Sequence, residues 1–355
     1  MLPERYIRKV YYGNRKEISN RSTWYTMKDD KIYYSVGPLL YCPANNESIV
    51  RSLTREKFGK KYSLALCLED TINDDFVEEA ERIMIGSLQK IYEYKQSHDI
   101  FLPKIFIRVR QSSQIERIMN ALVEANLLVT GFIIPKFTPD AADEYIDEIL
   151  LAGEKYGRTL YMMPILESGD MIDLRTRTEL LYAIKDKLKR AEPIVLNIRV
   201  GGNDLCKHFG FRRHNNESIH DIKPVSNIFS DIVTVLGLDY VVSGPVWEYF
   251  NGDGWDEGLR RETEGDILCG FTGKTVIHPN QINVVNEAYK VSRKDLEDAN
   301  AILNWSKGSI SLVAGSQNNE RMNEYKTHAI WAKKIKMLAE VYGVINSYKK
   351  RGSDE

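Results

Sequence analysis

Leu160-Tyr161-Met162-Met163-Pro164-Ile165-Leu166-Glu167-Ser168-Gly169 is an apolar run that ends on an acid. Further along, Ile194-Val195-Leu196-Asn197-Ile198-Arg199-Val200-Gly201-Gly202-Asn203-Asp204-Leu205 repeats the scheme, with two glycines before the acid. Each run is strand-like, and each precedes a stretch that reads as a helix. In a parallel α/β barrel that order puts Glu167 and Asp204 at the C-terminal mouth, on neighbouring strands. One or two carboxylates, completed by water and substrate oxygens, are the usual shell of Mg²⁺.

The same alternation extends outward from this pair. Strand-like runs fall at 38–42, 63–68, 104–109, 131–135, 160–166, 194–200, 239–243 and 275–278. Helix-like segments lie between them at 74–96, 112–125, 140–156, 170–190 and 225–236, the first with apolar residues from Phe76 to Tyr92 in a three-to-four rhythm. Eight buried strands alternating with helices predict an α/β fold, a (β/α)₈ TIM barrel, although an open doubly wound sheet gives the same alternation. The expected organisation is an N-terminal extension over 1–36, a barrel over 37–292 and a C-terminal helical appendage, a tail or lid, over 293–355. A helix is expected over 280–307, broken near Ser292, and another from Tyr325 to Ser347, with a Gly/Ser/Asn loop at 308–319 and a frayed end from Lys349.

Composition narrows the function classes. The chain has 355 residues, 43% hydrophobic and 28% charged, and its 49 Lys and Arg nearly balance 50 Asp and Glu. Such a balance creates no global field for nucleic acid or membrane. No apolar run reaches the length of a membrane span and the N-terminus has no signal-peptide core, so a cytoplasmic protein is expected. Cys42, Cys67, Cys206 and Cys269 have no zinc-ligand spacing, and Cys42 and Cys67 read as core packing. His208, His214 and His220 read as a surface loop.

Several further motifs carry chemistry. Glu69 and Asp70 end the second strand, where they would cap a helix or stand near a metal. Alternation puts Arg108 and Arg110 on one face of the third strand, and a buried arginine must pair with a structural carboxylate or an anionic substrate. Lys136 ends the fourth strand; it suits a structural or electrostatic role better than a Schiff base, which is an alternative electron sink to a metal. Gly201 and Gly202, with Asn203, let backbone approach a ligand closely. Gly270-Phe271-Thr272-Gly273-Lys274 lacks phosphate-loop spacing.

Taken in order, these motifs resemble the citrate lyase beta subunit and malyl-CoA lyase family of the HpcH/HpaI aldolase superfamily, metal-dependent carbon–carbon lyases on a TIM barrel. Leu39-Leu40-Tyr41-Cys42-Pro43-Ala44-Asn45, Leu68-Glu69-Asp70-Thr71-Ile72, Ile107-Arg108-Val109, Pro135-Lys136, Ile165-Leu166-Glu167-Ser168 and Gly202-Asn203-Asp204-Leu205 carry the likeness. Asp256-Glu257-Gly258-Leu259, Gly270 to Lys274, Ile277-His278-Pro279-Asn280-Gln281-Ile282 and Arg321-Met322-Asn323-Glu324 continue it.

The resemblance implies that Glu167 and Asp204 hold Mg²⁺ or Mn²⁺, and that Arg108 stabilises oxyanion charge with Glu69 and Asp70 beside it. Lys136, Gly201, Gly202 and Asn203 would contact a small oxo or hydroxy acid, free or as an acyl-CoA. Glu324 would act as acid/base in an adjacent subunit of a homo-oligomer, a trimer or hexamer. Gly37-Pro38, Ala44 and Cys67 stand where the family carries Arg-Ser, Gly and Asp. Those departures lie near the thioester end of the site, which leaves a phosphorylated or sugar-derived substrate open and resembles a bacterial branch encoded near tellurite-resistance genes. The alternatives are an acyl-thioester hydrolase or phosphosugar enzyme on the same barrel, and a non-catalytic metal-binding regulator.

Overall fold

A computed structural model describes residues 30–305, 310–316 and 319–346. Most of the expected N-terminal extension, the helix end expected at Lys307 and the terminus from Lys349 lie outside the described residues. Eight parallel strands form the ring: β1 (Pro38–Pro43), β2 (Ser63–Cys67), β3 (Lys104–Arg108), β4 (Val129–Ile134), β5 (Tyr161–Leu166), β6 (Ile198–Val200), β7 (Val242–Ser243) and β8 (Lys274–Val276). Their order is β7-β6-β5-β4-β3-β2-β1-β8, and a parallel bridge from Gly244 to Lys274 joins the two ends. The fold is a TIM barrel, as the alternation predicts.

Side-chain alternation builds two apolar layers. Leu39, Ala65, Phe106, Ile133, Met163 and Leu196 pack together inside the ring. Their neighbours Leu40, Leu64, Ile105, Ile107, Phe132 and Met162 face the surrounding helices. Between strands run helices Val77–Ser97, Gln114–Leu122, Pro139–Lys155, Arg177–Lys189, Lys223–Leu236 and Trp255–Leu268. The first five correspond to expected helices, with shifted ends. Trp255–Leu268 has no expected counterpart because its buried face holds Glu262, Thr263 and Asp266 instead of an apolar stripe.

The tail breaks where Ser292 predicts. Helix Asn280–Ala288 stops, and Ser292 Oγ accepts from Asp295 N at 3.0 Å to start helix Arg293–Leu303. The last helix, Tyr325–Tyr342, ends at Gly343 (φ +90°) instead of Ser347; the chain then extends, and Val344–Ile345 pairs with Val291–Ser292. This helix lies against the N-terminal end of the barrel. Tyr342 OH donates to Tyr34 O at 3.2 Å, and its ring stacks on Tyr289 at 5.0 Å. The appendage therefore covers the end of its own barrel opposite the acidic mouth. No helix of the described residues is long and apolar enough to cross a membrane.

Candidate active site

Five neighbouring strands deliver the mouth residues. Arg108 closes β3, Glu69-Asp70 follow β2, Lys136 follows β4, Glu167 follows β5, and Gly201 to Asp204 follow β6. The pairing of Leu166 with Val200 sets Glu167 beside Gly201. A methyl group on Gly201 would lie 2.3 Å from both Cβ and Oε2 of Glu167, so only glycine admits this carboxylate.

Arg108 is the hub. Its Nη2 forms an ion pair with Glu69 Oε2 at 2.7 Å and donates to Asp70 Oδ2 at 2.9 Å and Glu167 Oε1 at 3.2 Å. Lys136 Nζ lies 2.5 Å from Glu69 Oε1 and 3.4 Å from Asp70 Oδ1. Lys136 adopts a left-handed backbone (φ +47°), and its amide donates to Glu167 Oε1 at 3.1 Å. A non-glycine residue in that region is strained, here at the carboxyl mouth of the barrel. The strand's other arginine serves structure: Arg110 donates to the carbonyls of Leu68 (2.7 Å), Glu69 (3.0 Å) and Ile72 (2.5 Å), bracing the loop after β2.

Glu167 is buried, and burial together with the negative charge of Asp204 pushes its pKa up to about 7, against the pull of Arg108. Asp70 is held below the usual carboxylate range: partial burial acts upward but is outweighed by its hydrogen bond with Glu69 and the charges of Arg108 and Lys136. Lys136 is held above the usual lysine value by its hydrogen bond to Glu69. Tyr41, on β1, lies under Arg108 with the guanidinium 5.9 Å from its ring centre, and burial pushes its pKa up to about 12.

The donor set suits a hard divalent cation. Among the described residues both hydrogen bonds of Glu167 fall on Oε1, leaving Oε2 without one. Half-buried Asp204, in the first turn of helix Gly202–Phe209, makes no ion pair among the described residues. Arg108 compensates Glu167 only at Oε1, and Asp204 has no ion pair among the described residues, so a cation bound by oxygens would offset the charge that remains. No group of three or more His, Cys, Asp or Glu with metal-site geometry occurs among the described residues, so the remaining positions would belong to water or substrate. Arg108 Nε and Ser168 Oγ are also buried without a partner.

The structure thus brings together Glu69, Asp70, Arg108, Lys136 and Glu167 by direct contact, with Gly201 against Glu167 and Asp204 within electrostatic reach. Asn203 accepts instead from Arg213 Nη1 at 3.5 Å. Glu324 ends the short strand Met322–Glu324 on the tail, where its amide donates to His328 Nδ1 at 2.9 Å; it touches none of the mouth residues of its own chain.

A second charged cluster had no full signal in the sequence. Lys274 Nζ reaches Glu262 at 3.0 Å and Asp266 at 2.6 Å, with all three side chains fully buried. Arg213 pairs with Glu262 at 3.1 Å, and His220 bonds Asp266 at 2.7 Å. His220 is therefore part of a buried network instead of the surface loop its spacing suggests. The local signal was Glu262 and Asp266 at helical spacing before Lys274, but their partners come from a distant segment.

A parallel eight-stranded barrel with acids gathered at its carboxyl mouth defines the class of TIM-barrel enzymes. The family model described as C-C_Bond_Lyase of the TIM-Barrel fold matches residues 30–344, and the chain belongs to that family of carbon–carbon lyases. Human mitochondrial citramalyl-CoA lyase is 24% identical over 274 residues, covering 75% of this chain and 74% of that protein. The citrate lyase subunit beta of Leuconostoc mesenteroides subsp. cremoris is 22% identical over 271 residues, covering 75% and 80%. Among solved structures, the protein CitE of Mycobacterium tuberculosis in complex with magnesium, acetoacetate and coenzyme A superposes with a TM-score of 0.55 at 17% identity, over 87% of this chain and 99% of that one.

Proposed function

We propose that this protein is a Mg²⁺-dependent lyase that cleaves a carbon–carbon bond in a small oxo or hydroxy acid, free or as its CoA derivative, or forms that bond in reverse. The observation that carries the reading is the pair Glu167 and Asp204 at one mouth, near enough for Asp204 to raise the pKa of Glu167, with Glu167 Oε2 and the Asp204 carboxylate lacking a hydrogen bond among the described residues. The names of the relatives, which act on citramalyl-CoA and citrate, support the substrate class, and the magnesium and acetoacetate in CitE support the metal and the acid.

Glu167 and Asp204 would hold the ion, and Gly201 keeps the space around Glu167 Oε2 open. Bound Mg²⁺ supplies Lewis-acid polarisation of substrate oxygens. The chain's own contribution begins with Arg108. Three carboxylates fix its Nη2, while Nη1 makes no hydrogen bond among the described residues and can donate to a substrate carboxylate or enolate oxygen. Glu69 and Asp70 lock the guanidinium in place before substrate arrives, so no reorganisation is required during the reaction. Lys136, half-exposed above them, adds positive charge at the entrance. Glu324 fits an acid/base role delivered from a neighbouring copy in a homo-oligomer, because in its own chain it lies on the tail.

Isothermal titration with Mg²⁺ and Mn²⁺ tests the metal pair. The double variant Glu167→Ala, Asp204→Ala is expected to lose binding; unchanged affinity would overturn the reading. Turnover of a panel of citramalyl-CoA, malyl-CoA, citrate and free oxo acids then identifies the substrate.

A further inference from the structure

Two cavities share Lys60, Lys61, Asn286 and Tyr342; one opens at the N-terminal end of the barrel, and the other extends from there along helix Asn280–Ala288. One, of about 360 Å³, adds Lys31 and Lys104; the other, of about 400 Å³, adds Lys57 and Lys290. Each is large enough for a small metabolite. Three of these lysines have carboxylate partners: Lys31 pairs with Glu340, Lys60 with Glu56 at 3.3 Å and Lys290 with Glu287 at 2.6 Å. Lys57, Lys61 and Lys104 have none among the described residues.

Lys104 is the most informative of the group. It begins β3 and is half-buried, and Nζ donates only to the Ser35 carbonyl at 2.9 Å. An ammonium has three N–H donors, so two remain for a ligand. Burial without a counter-charge also pushes its pKa down, a cost that a bound anion would remove. No arginine lines either cavity; the cleft offers several compact point charges on flexible stems, and lysine binds phosphate in that way, as a point charge. Tyr62 and Phe101 form an apolar wall beside Lys104.

We propose that this cleft is a second ligand site, binding a small molecule that carries two or more phosphate charges at the barrel end opposite the acidic mouth. The two cavities share Lys61, with Lys104 lining one and Lys57 the other, so a compact polyanion seated beside Lys104 meets at least two lysines that have no carboxylate partner among the described residues.

Inorganic pyrophosphate is the probe, titrated calorimetrically into the full chain in EDTA so that no divalent metal contributes. Lys104→Met is expected to weaken binding about tenfold, the scale of one lost charge-assisted hydrogen bond. Lys61→Met, at an exposed position that leaves the fold untouched, is expected to weaken it several-fold by loss of one charge, and Glu167→Gln to leave it unchanged. The Lys61 variant keeps the test decisive if Lys104→Met fails to fold. Absence of binding to the wild type, equal affinity in the lysine variants, or loss in Glu167→Gln (which would move the anion to the mouth) would each overturn the proposal.

Discussion

At the scale of single residues, the site depends on two positions whose chemistry is set by neighbours. Gly201 faces Glu167 so closely that Gly201→Ala must displace the carboxylate. The expected result is at least about tenfold weaker Mg²⁺ binding with a fold unchanged by circular dichroism, since metal sites lose affinity when ligand placement slips. Glu167 itself makes the metal-free protein sensitive to pH. Its carboxyl is raised from the ordinary carboxylate range to about 7 in the folded state, so the folded chain holds that proton more tightly than the unfolded chain. Stability from this group is present at low pH and is lost as pH rises from about 4.5 to about 7. Denaturation midpoints in EDTA should therefore fall between pH 5 and pH 8 by more in the wild type than in Glu167→Gln. Saturating Mg²⁺ should reverse the trend at pH 8, because it binds the deprotonated carboxylate. Equal pH slopes for the two proteins would contradict the raised carboxyl.

At the scale of elements, helix Trp255–Leu268 shows where apolar periodicity loses its power. Its inward positions include Glu262 and Asp266, paired with Lys274 and Arg213, and His220 hydrogen-bonds Asp266. A helix that buries charge has no apolar stripe, so the sequence shows no rhythm there, although the family motif around Lys274 was visible. Breaking such a network leaves a buried charge unpaired, and Lys274→Met is expected to destabilise by about 3–5 kcal/mol in urea unfolding. Arg108 teaches a related lesson. Alternation correctly turned it inward, but whether a buried arginine meets a structural acid or a substrate was open. It meets three carboxylates at one nitrogen, so the structural half of that choice is answered, and a substrate contact through Nη1 is part of the proposed function.

At the scale of the whole molecule, the last helix covers the N-terminal end of its own barrel, and Glu324 does not reach the mouth beside it. If Glu324 serves a neighbouring copy, two inactive proteins should repair one another. Glu324→Gln and Glu167→Gln, each with little turnover, are expected to regain a fraction of wild-type activity when their subunits are mixed and reassembled, measured on whichever acid of the panel is cleaved. Full activity of Glu324→Gln alone, or no recovery in mixed oligomers, would remove Glu324 from the reaction. Much was legible before the structure. Apolar runs followed by Glu69, Arg108, Lys136, Glu167 and Asp204 marked the carboxyl ends of strands, because strand period and helix period are local properties of the chain, while the choice of a barrel over an open sheet leaned on the family resemblance. Which acid shares which proton donor, that His220 serves Asp266, and that the tail lies opposite the mouth were decided only by tertiary structure. Residues 69, 108 and 167 are distant in sequence, and charge pairing between them exists only once the barrel closes and excludes water.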